Sequence, residues 1–361
     1  EDVTSSGKQG QPQEGTPKFT QGDEVAPITI NEQQPAKFFD PVTKQPIEAT
    51  EIPAKDETGK TVGKYTIDPL TGIVTFTPNK DFTGTPVPAT VQVKDANGTP
   101  TTATYTPTVT PVVPTKTPKE TSGKQAQPQT QDTESMFTKG DEVAPIDKST
   151  VKLIDPETNA EVTSIPAKKD GKQVGTYTLD PDTGIITFQP NPDFKGTPEP
   201  AKVTAADKNG TKVTTTYTPT VTPVEPTGTP VTSEGKQGQT QTGKPVFTQG
   251  DETAPITITE DQPAKLVDPA TGEATEATEI PAKDSTGKTV GKYEINPLTG
   301  VVTFTPNKDF TGTPVPATVE VKDANGTPAK ATYTPTVTPV VPRGEDVTSS
   351  GKQGQPQEGT P

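Results

Sequence analysis

The chain repeats itself, and this periodicity limits the folds open to it more than any other property. The tripeptide Gly-Lys-Gln recurs at intervals of 116, 112 and 116 residues, beginning at Gly7, Gly123, Gly235 and Gly351. Residues 345–361 match residues 1–17 position for position. The period predicts three complete domains and the start of a fourth, with boundaries at 1–118, 119–230, 231–343 and 344–361.

Aromatic side chains stay in register through the copies. Five positions recur in each one, namely Phe19, Tyr65, Phe76, Phe82 and Tyr105, then Phe137, Tyr177, Phe188, Phe194 and Tyr217, then Phe247, Tyr293, Phe304, Phe310 and Tyr333. The 44 prolines and 31 glycines leave disorder open as an alternative. A disordered linker has no reason to keep aromatic residues at matched places, whereas a folded core does. We therefore interpret Tyr105 and Phe82 as core residues and not as contacts for sugars or protein ligands.

The segments between turn signals are typical of β-strands. Residues 63–67 alternate apolar and polar side chains, and residues 72–78 form a β-branched and aromatic run. The intervening Asp68-Pro-Leu-Thr-Gly72 combines a proline that fixes φ, an aspartate that accepts a backbone hydrogen bond and a glycine that permits positive φ. Further turns are predicted at 180–184, 296–300, 40–44 and 268–272, and at the Asn-Gly pairs that begin at Asn97, Asn209 and Asn325.

These signals predict an all-β chain with six to eight short strands per copy and no helices. Each copy is expected to be a small antiparallel β-sandwich, for which the immunoglobulin-like form is one candidate. Residues 110–122 are rich in proline and threonine, and they predict an extended, polyproline-like linker between the first two copies. Such linkers predict an elongated array.

Composition excludes several classes of function. The sequence has no Cys, His or Trp, which removes disulfides, thiolate nucleophiles, His relays and imidazole metal ligands. Its net charge of -14 argues against binding to nucleic acid. No apolar run is long enough to span a membrane, and no secretion signal is visible, so we expect an internal fragment of a longer protein. We predict no enzyme, no catalytic or metal-binding residue and no cofactor.

Several segments together resemble the CshA-type fibril repeat of streptococcal and related Gram-positive surface adhesins. They are Gly-Lys-Gln-Gly-Gln-Pro-Gln from Gly7, Thr-Pro-Lys-Phe-Thr-Gln-Gly-Asp from Thr16, Phe-Thr-Gly-Thr-Pro from Phe82 and Ala-Thr-Tyr-Thr-Pro-Thr-Val-Thr-Pro from Ala103. The resemblance covers all three copies, and in the second copy residues 147–150 and Pro192 differ only in detail. It implies an exported, cell-wall-anchored parent protein whose repeats form a stalk and whose host-binding region lies elsewhere.

Two chemical alternatives arise from recurring polar residues. The acidic pairs that begin at Asp23, Asp141 and Asp251 can be a calcium site or an acid/base pair, but we interpret them as solvated loops before a strand. A Lys–Asn isopeptide bond, known in some Gram-positive stalks, needs its groups buried together. The recurring candidates for it are Lys37, Lys152 and Lys265 with Asn79, Asn191 and Asn307, and the sequence does not show them to be neighbours.

Three hypotheses for function remain. The first is a structural spacer outside the cell, a monomer whose partners are the neighbouring repeats of its own chain. The second is an adhesive module that binds host glycoprotein, other bacteria or other copies through its strand edges. The third is a largely disordered stalk.

Overall fold

The computed structural model describes residues 1–361, which form two compact units. The first unit contains Glu1–Gly123, Pro128–Gln189 and Thr197–Thr220. The second unit contains Lys124–Gln127, Pro190–Gly196 and Val221–Pro361. The first repeat therefore lies in the first unit, the third repeat lies in the second, and one end of the second repeat belongs with the third.

The first repeat has nine strands. They are β1 Val3–Lys8, β2 Gln13–Gly15, β3 Lys37–Asp40, β4 Gln45–Ile47, β5 Glu51–Lys55, β6 Thr61–Ile67, β7 Val74–Pro78, β8 Ala89–Lys94 and β9 Pro100–Thr110. One sheet has the order β1-β9-β8-β3-β4 and the other the order β2-β7-β6-β5. Both sheets contribute to one core, so the repeat is the β-sandwich that the sequence predicts.

Three aromatic rings form the centre of this core. Tyr65 packs against Phe76 with ring centroids 5.2 Å apart and against Tyr105 at 6.3 Å. Tyr105 and Phe76 are fully buried, which confirms their interpretation as core residues. Phe19 and Phe82 are half-buried and pack against the same core from its edge. The equivalent tyrosine and phenylalanine rings pack in the same way in the second and third repeats.

The predicted turns are confirmed in their mechanism. Asp68 Oδ1 accepts a hydrogen bond from the backbone N–H of Leu70 at 2.9 Å, and Gly72 has φ +75°. This turn joins β6 to β7 as predicted. The Asn-Gly turn joins β8 to β9, with Gly98 at φ +80°. A left-handed residue is needed at both positions, and glycine adopts that conformation without steric cost.

One edge departs from the predicted antiparallel arrangement. Strand β1 pairs with β9 in parallel, from Val3 opposite Tyr105 to Lys8 opposite Thr110. Both strands run in the same direction because the chain enters the repeat at one end and leaves it at the other. The other strand pairs of the repeat are antiparallel, so the predicted antiparallel β-sandwich is confirmed and this edge is the exception to it.

The second repeat has the same architecture with local differences. Its elements are β10 Thr115–Lys116, β11 Lys119–Lys124, β12 Gln129–Asp132, a 3₁₀ turn at Thr133–Met136, β13 Phe137–Thr138, β14 Ile146–Ile154, β15 Glu161–Val162, β16 Ser164–Lys169, β17 Lys172–Leu179, β18 Ile185–Pro190, β19 Ala201–Asp207 and β20 Lys212–Thr222. The sequence differences at residues 147–150 are more than detail. They form a bulge in β14, where the register with β19 shifts between Asp147 and Lys152.

The third repeat resembles the first. Its strands are β21 Thr227–Thr229, β22 Val231–Lys236, β23 Gln241–Gly243, β24 Val246–Thr248, β25 Lys265–Leu266, β26 Glu279–Lys283, β27 Thr289–Ile295, β28 Val302–Pro306, β29 Ala317–Lys322 and β30 Pro328–Thr338. Residues 345–361 are exposed and contain no strand. Each repeat therefore has more strands than the predicted six to eight, because edge strands of two or three residues have no sequence pattern of their own.

The linkers are shorter than the sequence predicts. Thr115–Lys116 pairs with Phe137–Thr138, and Lys119–Lys124 is an edge strand of the second repeat. Only residues 111–114 lie outside strands between β9 and β10. The predicted polyproline-like linker over residues 110–122 is therefore wrong over most of its length. The domain boundaries proposed above stay a prediction.

Candidate functional site at the joints between repeats

Each repeat has two ends that differ in chemistry. We call residues 8–10 and 111–114 the trailing face of the first repeat, and residues 140–144 and 207–210 the leading face of the second. The corresponding trailing face of the second repeat is formed by residues 124–126 and 223–226, and the leading face of the third by residues 250–254 and 323–326. A joint is the contact between a trailing face and the next leading face.

An ion pair closes both joints. Lys8 Nζ lies 2.7 Å from Asp141 Oδ2 in the first unit, and Lys124 Nζ lies 2.7 Å from Asp251 Oδ2 in the second. The lysines come from the recurring Gly-Lys-Gln motif, and the aspartates begin the recurring acidic pairs. The interpretation of Asp141 and Asp251 as simply solvated charge is therefore wrong, because each one pairs with the preceding repeat.

Each aspartate is also fixed by its own turn. Asp141 Oδ1 accepts the N–H of Val143 at 3.1 Å, and Asp251 Oδ1 accepts the N–H of Thr253 at 3.0 Å. The hydrogen bond from Lys8 holds the pKa of Asp141 below its ordinary value. The hydrogen bond from Lys124 lowers the pKa of Asp251 to about 2. Both groups are therefore carboxylates at neutral pH, as the ion pairs require.

A glutamine beside each lysine binds the segment that follows the last strand of the repeat. Gln9 accepts the N–H of Val112 at 3.1 Å through Oε1 and donates from Nε2 to the carbonyl of Lys80 at 2.8 Å. Gln125 does the same with Val224 and Pro192 at 3.1 and 2.9 Å. These glutamines were not predicted from the sequence, although their place in the recurring Gly-Lys-Gln motif was a signal for them.

At the first joint, the side chain of Asn209 in the second repeat also contacts the backbone of the first repeat. Asn209 donates from Nδ2 to the carbonyl of Gln9 at 3.2 Å and is only 7% exposed. A Cβ atom on Gly10 would lie 2.2 Å from Asn209 Oδ1, so the close contact requires glycine there. At the second joint the residue equivalent to Gly10 is Ala126, and Asn325 Nδ2 is buried without a hydrogen bond.

A second glycine allows the linker to lie against the leading face. A Cβ atom on Gly140 would lie 2.3 Å from the carbonyl oxygen of Val113, and one on Gly250 would lie 2.4 Å from that of Glu225. These glycines precede the paired aspartates in sequence. The Gly-Asp dipeptide therefore makes two contributions to the joint. The glycine allows the close approach of the linker backbone, and the aspartate carboxylate forms the ion pair.

Burial shows which face each joint covers. Val112 is 5% exposed and Val224 is 4% exposed, whereas the equivalent Val340 of the third repeat is 56% exposed. The three valines occupy the same place after the Thr-Val-Thr-Pro motif. Because the third trailing face has no complete repeat against it, the difference measures the apolar contact that a joint adds.

In the first and third repeats the isopeptide candidates contact other partners. Lys37 Nζ lies 2.8 Å from Glu48, and Asn79 donates its amide to the carbonyl of Thr61 at 3.3 Å. Lys265 pairs with Glu276 in the same manner as Lys37. No group of three or more Asp and Glu side chains is arranged to hold a metal ion. No helix of the chain has the length and apolar character of a membrane span.

Most of the chain is similar to a known family of protein repeats. A model of the surface adhesin CshA repetitive domain matches residues 1–109, 111–221 and 223–337. No curated protein matches the chain. Solved structures with a similar arrangement include mouse cadherin-23 EC22-24, with 12% identity over 94% of this chain and 96% of that one and a TM-score of 0.29. The I9-I11 tandem from titin has 10% identity over 93% of this chain and 97% of that one, with a TM-score of 0.29. Sidekick-1 immunoglobulin domains 1-5 have 14% identity over 86% of this chain and 53% of that one, with a TM-score of 0.27.

Proposed function

This chain belongs to the family of surface adhesin CshA repetitive domains, and on that premise we propose that it is part of the stalk of a cell-surface adhesin. In this role the repeats hold a distal binding domain away from the cell wall to which the parent protein is anchored. The proposed function is mechanical and not catalytic. The lack of His and Cys supports this, since His relays and thiolate nucleophiles depend on those residues.

The observation that carries the proposal is the repeated ion pair. The Lys8–Asp141 and Lys124–Asp251 contacts use the same motif residues at two successive joints. A stalk that holds a domain at a distance must fix the position of each repeat relative to the next, and a free tether does not do this. Docked joints restrict the motion between neighbours, because the short linker keeps the two charges at a high effective concentration.

Small-angle X-ray scattering of the 361-residue chain tests the proposal. A compact globule of this length has a radius of gyration of about 21 Å. Three repeats placed end to end, each with a longest strand of about 37 Å, give a radius of gyration of about 30 Å or more. A value near that of the compact globule would contradict the stalk.

A further inference from the structure

The chain enters and leaves each repeat through two neighbouring strands. In the first repeat β1 pairs in parallel with β9, from Val3 opposite Tyr105 to Lys8 opposite Thr110. In the third repeat β22 pairs with β30 in the same parallel register. Strands β11 and β20 are likewise neighbours in the second repeat. The first and last strands of a repeat are therefore bonded directly to each other.

Side chains add to the backbone contacts of this strand pair. Thr110 Oγ1 donates to the carbonyl of Gly7 at 3.0 Å, and Ser5 Oγ lies 2.6 Å from the Tyr105 hydroxyl. The equivalent hydroxyl contacts in the second and third repeats measure 2.7 and 2.6 Å. Val3, at the start of β1, packs against the core of the first repeat. The strand that enters a repeat is therefore held by its neighbour and by the core.

Tension along the chain acts on this strand pair in shear. It pulls Val3 toward the start of the chain and Thr110 toward its end, so β1 and β9 are drawn past each other along their length. Hydrogen bonds in a parallel pair are evenly spaced, so they share the load and must break together. Residues 9–99, which include the core rings of Tyr65 and Phe76, lie outside the path of this load.

We propose that the pairing of the first and last strands is a mechanical clamp that keeps each repeat folded under tension. Rupture of the clamp is the step that resists the load, and the rest of the repeat unfolds after it. Forced unfolding is governed by the rate of unfolding, so the strength of the clamp is separable from the equilibrium stability of the repeat. The clamp follows from the strand order and does not rest on the stalk function.

Single-molecule force spectroscopy of the intact chain tests the clamp through the direction of pulling. Pulled from its two ends, the chain is expected to give three ruptures of similar force. Each rupture is expected to lengthen the chain by about 350 Å, as roughly a hundred residues become extended. Opening of the first joint releases only residues 111–114, so it is too short to be confused with a rupture.

A second pulling direction loads the same strands differently. The chain has no cysteine, so Glu1→Cys and Ala96→Cys supply two tethers that load the first repeat alone. Ala96 precedes β9 in the turn from β8, so this load peels β1 away from Val3 onward, one bond at a time. The first rupture is expected at about half of the end-to-end force or less.

Two variants separate the clamp from the core. Ser5→Ala removes a contact of β1 and is expected to lower one of the three end-to-end ruptures, with the other two as internal references. Val74→Ala truncates a fully buried side chain in β7, outside the path of the load. It is expected to lower stability to denaturant and to leave all three ruptures unchanged.

Equal rupture forces in the two pulling directions would overturn the clamp. So would a rupture force that Val74→Ala lowers as far as Ser5→Ala does. Neither result would alter the scattering test of the stalk.

Discussion

At the scale of single residues, the turn that follows Asp40 and its counterparts has a different residue in the left-handed conformation in each repeat. The turn after Asp40 places Lys44 at φ +57°, and its counterparts are Asn159 at φ +59° and Gly272 at φ +73°. A left-handed conformation costs an ordinary side chain about 1–2 kcal/mol, and glycine avoids most of this cost. The sequence predicted the turn from its Asp-Pro-x-Thr pattern, but the strain at Lys44 depends on a φ angle that the pattern does not show.

Lys44→Gly is expected to stabilise the first repeat by about 0.5–1 kcal/mol, because the relief of strain exceeds the added entropy of the unfolded chain. Gly272→Lys is the matched reverse change and is expected to destabilise the third repeat by a similar amount. Hydrogen exchange of β3 and β4 in the first repeat, with the third repeat as internal reference, measures the difference. Faster exchange in Lys44→Gly would show that the strain is absent.

The tyrosines make a second prediction at this scale. All six are buried, and burial raises the pKa of Tyr65, Tyr177 and Tyr293 well above the ordinary value. The folded state therefore holds these protons more tightly than the unfolded state, so stability is complete below about pH 10 and falls as pH rises beyond it. Tyrosinate absorbance is expected to appear only together with the loss of β-sheet circular dichroism. Absorbance that rises while the sheet signal is intact would contradict the buried placement.

At the scale of elements, the first strand of each repeat was not predicted from the sequence. β1 carries Ser5 and Gly7 on the face that in other strands is apolar, so its pattern resembles a linker. The inward face of β1 makes polar contacts instead of apolar ones. Ser5 Oγ lies 2.6 Å from both the Tyr105 hydroxyl and Gln13 Oε1. By contrast, β6 and β7 were predicted correctly because β-branched and aromatic residues stand between clear turn signals.

Gln13→Ala is expected to destabilise the first repeat by about 1–3 kcal/mol, because it leaves buried polar groups without partners. Gln13 is 7% exposed and donates from Nε2 to the carbonyl of Thr108 at 3.0 Å. Glu14→Ala is the control, since Glu14 is the next residue and is exposed. Chemical denaturation followed by circular dichroism measures both variants. Equal stability of the two would show that the buried polar contacts do not hold β1 and β2.

The joints make a prediction about pH. The folded pKa of Asp251 is about 2, below its ordinary value, so its contribution to the joint is complete above about pH 4 and is lost as pH falls toward 2. The carboxyl carbon shift of Asp251 in NMR spectra is expected to titrate near pH 2. Lys124→Ala removes the partner and is expected to raise that pKa toward the value of a free aspartate. A titration that Lys124→Ala leaves unchanged would contradict the ion pair.

At the scale of the whole molecule, the sequence showed the repeats but not how they meet. The period and the aromatic positions predicted three β-sandwich cores, because core residues recur where the fold recurs. The joints were missed because their residues, such as Lys8 and Asp141, look like ordinary surface charge within a single copy. Their role depends on a contact between copies, which the Lys8–Asp141 distance of 2.7 Å and the burial of Val112 both show.

The central claim is that successive repeats are docked and not merely tethered, and a distance between spin labels in the first two repeats tests it most directly. The chain has no cysteine, so Lys60→Cys and Lys172→Cys, both exposed in the first unit, place one label on each repeat. Double electron–electron resonance is expected to give one narrow distance. Adding Lys8→Glu is expected to broaden it, and adding Asp141→Lys to that variant is expected to narrow it again. A distribution as broad before the Lys8 change as after it would contradict the docked joint.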